Sequence, residues 1–338
     1  MRFGLALPHY DTSLAGKPAG WQSVRSVAKQ AEEAGFDSVW VSDHIFLDWG
    51  KYGGSTEPQG ALECWTTMSA LAAATTRVRI GSMALCNDLR NPALLAKMIA
   101  SLDVLSAGRL DVGMGAGWYE PEYAAAGISF DPPGVRIARL GEATEIVRRL
   151  LSGEEVRFAG NHYRIDGAVC RPGPVQDPRP PLWLGGKGDY LLKTAARVAD
   201  GWNFSWIGSI DSYEDRKRAA DAACEAVERE PSSLRRSVGA YVLAGRDDAD
   251  LKDRYERLVE VTPDGVLGSS GKPGAGVSWE GFRSTRIAGT TNEVVEQLGR
   301  LADLGVEEVI VGLGALPFQV ADAGDVDLVA GEVIPQLR

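Results

Sequence analysis

The sequence predicts an α/β fold, a (β/α)8 TIM barrel, as a single domain over residues 1–338. Three observations predict it. Short apolar segments alternate with helical ones eight times along 338 residues, a length ordinary for one such barrel. Segments such as LWLGG and EEVIVGL are largely apolar rather than alternately so, which suits a parallel sheet covered on both faces. Polar residues collect just past the ends of these segments, where barrel enzymes build their sites.

Arg2–Pro8 reads as the first strand. Trp21–Gly35 reads as a helix, because Val24, Val27, Ala28, Ala31 and Ala34 recur at helical spacing and Gly35 stops it. Ser38–Ser42 is the second strand, with Asp43-His44 just beyond it. A helix over Pro58–Ala74 leads to a third strand, Val78–Leu85. Pro92–Leu105 is helical, with Pro92 suited to the first turn, and Leu110–Gly115 is the fourth strand. A helix over Arg139–Leu151 follows. Residues 155–179 carry strand-like runs with Gly and Pro punctuation but no helical pattern, and read as a hairpin insertion before the fifth strand, Pro181–Gly185. Leu191–Ala199 is helical, Trp202–Trp206 is the sixth strand, Tyr213–Arg229 is helical, and Ser237–Ala244 is the seventh strand. Residues 207–287 read as a variable region, with a long loop stretch after the seventh strand. Within them, Gly265–Gly276 is a glycine-rich loop near the top of the seventh strand, either a plain connector or a lid. A helix over Asn292–Leu304, the eighth strand Glu308–Val311 and a last helix over Asp325–Leu337 complete the pattern.

Composition narrows the function. With 36 basic and 46 acidic residues the formal charge is -10, which argues against non-specific nucleic-acid binding. The four cysteines (Cys64, Cys86, Cys170 and Cys224) make no CxxC pair, and the three histidines are scattered. No zinc spacing results, no bound metal is expected, and the thiols read as reduced. The opening residues, RFGLALPHY, lack a signal-peptide pattern, and no apolar run is long enough to span a membrane. A cytoplasmic protein acting on a small molecule, with no membrane partner, is the default expectation.

Three groups of residues could carry chemistry. Gly113, Gly115 and Gly117 alternate along the fourth strand, so they strip one face of side chains over about 7 Å. A flat ligand lying against that backbone would explain them. His44 follows an apolar strand and an acid, and a histidine can take or give a proton near neutral pH. The alternative is a histidine that only holds a loop. Gly185-Gly186-Lys187-Gly188 runs from a strand into a helix, which is either a backbone cradle for an anion or a simple tight turn. No Walker A or GxGxxG pattern is present. His9 also falls past a strand end. Trp49 and Trp118 lie in loops on the same side and could wall an apolar pocket, whereas Trp40, Trp183 and Trp202 read as core.

These residues carry a resemblance. The segments VSDHIF (41–46), RIGSMALCNDLRNPALLAKMIASLDVLSAGRLDVGMGAGWYEPEY (79–123), FDPPGVRIARLGEA (130–143) and PPLWLGGKGDYLLKTAARVADGWNF (180–204) resemble the bacterial luciferase-like superfamily. Within it they are most similar to the oxidoreductases that use the deazaflavin coenzyme F420. The match over 288–311 is weaker, and little matches over 207–287. The resemblance implies hydride transfer between the coenzyme, or FMN as the alternative, and a small organic substrate. It implies that Asp43 and His44 contact the ring and handle protons. Ala116 and Gly117 would neighbour it, and Gly185 and Gly186 would hold its phosphate. It also implies a bulge behind the ring, near Cys86, with a non-proline cis bond at Met83–Ala84, and a homodimer. Sugar-phosphate dehydrogenases of the family place a glutamate where this chain has Trp118. The acid partner of the histidine is therefore expected to be missing, which favours an apolar or conjugated substrate. The rival expectations are an oxygen-using FMN monooxygenase and a non-catalytic cofactor-binding protein.

Overall fold

The computed structural model describes residues 1–267 and 278–338. Eight parallel strands form a closed barrel: β1 (Arg2–Ala6), β2 (Ser38–Val41), β3 (Arg79–Ser82), β4 (Leu110–Gly115), β5 (Leu182–Gly185), β6 (Gly201–Ile207), β7 (Arg235–Gly245) and β8 (Glu308–Gly312). Each pairs with its neighbours in chain order, and β8 closes on β1 with Gly4 opposite both Ser38 and Ile310. The predicted barrel is therefore the observed one.

The interior is packed by pairing large with small residues. The Trp40 indole fills the space that a side chain on Gly4 or Gly81 would need, and Trp183 does the same against Gly201. At the floor, Glu308 is fully buried and bound by Arg2 at 2.6 Å and by the Ser38 hydroxyl. Outside, the helix Pro92–Leu105 starts where the sequence indicates: the Asn91 side chain accepts from the N–H groups of Ala93 and Leu94, and Pro92 takes the first turn.

The hairpin insertion is present as an antiparallel pair, Val156–Ala159 with Arg164–Ala168. Some boundaries differ from the predicted ones, each for a local reason. The helix expected from Pro58 starts only at Cys64, capped by the Glu63 carboxylate, because Gln59–Gly60 is engaged in a small ladder with Phe46–Leu47. The helix expected from Arg139 starts already at Pro133. The last helix is broken into Ala323–Leu328, a wide turn Val329–Val333 and a tight turn Ile334–Leu337, since Pro335 has no N–H to continue the ladder. Residues 207–287 also contain a helix, Asp248–Glu260, and at their end begins a strand, Ile287–Thr290, that pairs with Val242–Gly245 of β7. Most of the expected Gly265–Gly276 loop falls outside the described residues.

Candidate functional site

A cleft of about 710 Å³ opens at the C-terminal ends of the strands. Every strand from β2 to β8 contributes to it through its own last residues or the loop that follows. Asp43, His44, Met83, Ala84, Cys86, Ala116, Gly117, Trp118, Gly185 and Gly186 all line it. Two expected members do not. The Trp49 ring is buried behind the wall, donating to Thr12 Oγ1 at 3.0 Å and packing on Tyr10. His9 is 1% exposed, with Nδ1 2.9 Å from the Leu7 carbonyl and Nε2 2.9 Å from Ser42 Oγ.

Burial pulls His9 down to about 4 from the usual 6.5, because a charged imidazole there would be stripped of water. It is therefore neutral at neutral pH. Its contribution to stability is whole above about pH 6.5, and declines as the pH falls from there toward 4, where only the unfolded chain protonates it. In a titration followed by NMR, the His9 ring signals should stay fixed from about pH 8 to about pH 5.5. Movement in that range would show a different environment.

The three alternating glycines have three different causes. A Cβ on Gly113 would stand 2.1 Å from the Ser82 carbonyl oxygen, so that glycine serves strand packing. Gly117 has φ +72, and its Cβ would meet the Tyr123 hydroxyl at 1.9 Å. Only Gly115 is bare for the sake of the cleft. Its Cβ would make ordinary contact with the Ala84 methyl at 3.5 Å, as would a Cβ on Gly185. Gly115 and Gly185, the last residues of β4 and β5, and Ala84, just past β3, thus form a smooth floor to the cleft. The Met83–Ala84 bond is cis. Gly115→Val would raise that floor, and it should abolish ring binding while leaving the melting temperature nearly unchanged, read by ligand fluorescence and calorimetry.

At one end of the floor stands His44. Its Nδ1 is 3.1 Å from Glu122 Oε2, and the same oxygen accepts from the Ile45 N–H at 2.7 Å. The expected absence of an acid partner is therefore corrected. Trp118 does occupy the position after the last glycine, but the short helix Glu120–Ala125 brings the buried Glu122 to the imidazole instead. Trp118 packs edge-on to the His44 ring at 5.5 Å, and Lys51 Nζ lies 3.8 Å from the indole centroid.

Asp43 has its carboxylate engaged. Arg90 Nη1 and Nη2 donate to its two oxygens at 2.5 and 3.0 Å, and the Cys86 N–H donates at 2.8 Å. This clamp ties the end of β2 to the segment after β3. The Cys86 thiol, 3.1 Å from the Tyr123 hydroxyl, is pushed up to about 11 by burial, so it is not a nucleophile at neutral pH.

The far wall was not legible in the sequence. A bulge between Phe204 and Ile207 puts Trp206 at φ +56, a conformation a bulky residue rarely adopts. Its ring stacks on Tyr241 at 4.7 Å and meets Phe318 edge-on at 5.5 Å. Lys187 and Arg286 also line the cleft. Burial and the nearby Lys51 charge pull the Lys187 ammonium down, and burial does the same to the Arg286 guanidinium. Among the described residues, no group of three His, Cys, Asp or Glu could hold a metal ion, and no helix is long and apolar enough to cross a membrane.

The chain is similar to several known proteins. It is 34% identical over 222 residues to an F420-dependent glucose-6-phosphate dehydrogenase of Amycolatopsis mediterranei, covering 65% of this chain and 64% of that one. The match thus spans less than two thirds of that relative's length. It is 28% identical over 325 residues to an F420-dependent hydroxymycolic acid dehydrogenase of Mycobacterium tuberculosis, covering 92% of this chain and 83% of that one. An F420-dependent secondary alcohol dehydrogenase solved with an F420–acetone adduct superimposes with a TM-score of 0.79 at 22% identity, over 100% of this chain and 99% of that one. At that identity the likeness speaks for the fold. The luciferase-like monooxygenase family model matches residues 1–308, and the chain belongs to that family.

Proposed function

We propose that this protein is an F420-dependent oxidoreductase that transfers a hydride between the deazaflavin and a small organic substrate. The observation that carries the reading is the smooth floor of Gly115, Ala84 and Gly185 with His44 at its edge. The F420-dependent relatives support the choice of coenzyme. When bound, the coenzyme supplies the hydride chemistry, and the protein supplies position and a proton.

The proton role falls to His44 Nε2. Glu122 engages Nδ1 and holds the ring, so the other nitrogen is left for the cleft. Asp43 holds Cys86 and Arg90 rather than a free proton, so its part is to fix the seat. Gly185 and Gly186 would hold the phosphate, at the start of the helix Asp189–Val198.

The substrate side is walled by Trp206, Tyr241 and Phe318. Those rings support an apolar or conjugated substrate. The other ground for that choice, a missing acid, no longer stands now that Glu122 partners His44. A homodimer belongs to the same reading. Met68, Leu71 and Ala72 are core, but Leu94 and Leu105 on the Pro92–Leu105 helix are 57% and 71% exposed and would be covered by a second copy.

The reading is tested by mixing the protein with reduced F420 and a panel of aldehydes, ketones and conjugated carbonyl compounds under nitrogen. Coenzyme oxidation that needs an acceptor, and not oxygen, supports it. Oxidation that needs oxygen alone overturns it.

A further inference from the structure

Three tyrosines line the cleft: Tyr10, Tyr52 and Tyr241. The first has its hydroxyl engaged inside the protein. His9 Nδ1 donates to the Leu7 carbonyl, so Nε2 accepts from Ser42 Oγ at 2.9 Å, and Ser42 Oγ in turn accepts from the Tyr10 hydroxyl. The other two hydroxyls have no hydrogen-bond partner among the described residues. Their rings are held all the same. Tyr52 meets Trp49 edge-on at 6.1 Å, and Trp49 is tied to Thr12. Tyr241 stacks on Trp206 at 4.7 Å. Two fixed rings thus present unpartnered hydroxyls to one cleft.

Burial pushes the Tyr52 hydroxyl up to about 12. Burial, with Tyr52 close enough to add to the effect, pushes Tyr241 up as well. Both are neutral at neutral pH, each with a proton to donate. Their surroundings supply no acceptor. Trp206 and Phe318 wall this part of the cleft. Arg286, 5.3 Å from the Tyr241 ring centroid, carries only N–H groups and donates to Thr285 Oγ1 and the Ala315 carbonyl. A ligand that filled this corner with hydrocarbon would leave both hydroxyls unmet, whereas one that placed an oxygen there would satisfy them. The strand that carries Tyr241, β7, stands three places from β2 around the barrel. Tyr241 is therefore set across the mouth from the end of β2, where His44 follows.

We infer that the corner framed by Tyr52 and Tyr241 binds a carbonyl oxygen of the substrate, remote from the group that reacts beside His44. The substrate is thereby narrowed to an apolar or conjugated molecule with two oxygen functions. The inference rests on the oxidoreductase reading above and specifies its substrate.

The test uses protein that holds oxidised F420, and two probes of nearly the same shape. These are para-diacetylbenzene and para-ethylacetophenone, which differ by one carbonyl oxygen. Calorimetry reads their binding. Wild-type protein should bind the diacetyl compound about 10-fold more tightly, the worth of a hydrogen bond. Tyr52→Phe and Tyr241→Phe, which keep both rings, should each reduce that preference and together abolish it. Binding of para-ethylacetophenone and of F420 should stay nearly unchanged. Equal binding of the two probes by wild-type protein, or binding of neither, would overturn the inference. So would a preference that survives the double substitution, or an equal loss for both probes, which would place the hydroxyls at the shared carbonyl. Failure to bind F420 at all would overturn the coenzyme reading, and this inference with it.

Discussion

Replacement of His44 by alanine is expected to lower turnover by about 10²- to 10⁴-fold, with the coenzyme's dissociation constant nearly unchanged. The size follows from the role of a positioned proton donor. The imidazole is fixed at Nδ1 by Glu122 and flanked edge-on by Trp118, so removing it leaves the floor of the cleft intact. His44→Gln should be nearly as slow, since an amide fills the space but cannot exchange the proton. Glu122→Gln should be milder, because the amide can still pair with Nδ1 and hold the ring. Single-turnover kinetics with reduced coenzyme would read all three. Unchanged turnover in His44→Ala would remove the histidine from the proton step.

Asp43→Ala should cost the fold about 3 kcal/mol, the lower end of what breaking a buried ion pair costs. Arg90 would be left largely buried with only the exposed Glu63 as partner, at 2.7 Å. The Cys86 N–H would lose its acceptor at the segment behind the ring. Coenzyme affinity should therefore fall together with stability, unlike the His44 case. Asp43→Asn keeps an acceptor for Cys86 and should lose less. A second substitution, Arg90→Met, made on top of Asp43→Ala, should restore part of the stability by removing the unpaired charge. Urea denaturation measures these differences. A loss under about 1 kcal/mol for Asp43→Ala, the worth of a surface pair, would show that the clamp does not hold the site together.

The barrel was legible because its signal is periodic and repeated. Apolar strands such as LWLG and VIVG, and helices stopped or started by Gly35 and Pro92, need only local rules. The glycine motif at the end of β4 does reach the cleft, through Gly115 and Gly117, but its three glycines do not share one cause. Gly113 answers to the Ser82 carbonyl and Gly117 to its own backbone, which only three-dimensional packing reveals. Glu122 was visible as a residue but not as a partner, because a one-and-a-half-turn helix after β4 decides which way it points. Arg90 was hidden for a similar reason: its meaning lies in a counter-charge across the chain, the Asp43 carboxylate. The Trp206 wall depends on a bulge, and an extra residue in a strand leaves no mark in a pattern of period two. Trp49 erred in the opposite direction. A loop tryptophan near a site reads as a pocket wall, yet its indole found Thr12 and the core behind it.

The central claim is that the floor between β3, β4 and β5 seats a deazaflavin. Equilibrium binding of purified protein to F420 and, separately, to FMN, followed by fluorescence, tests it most directly. Tight binding of F420 with much weaker binding of FMN is the predicted result. Preference for FMN, or binding of neither, would contradict it.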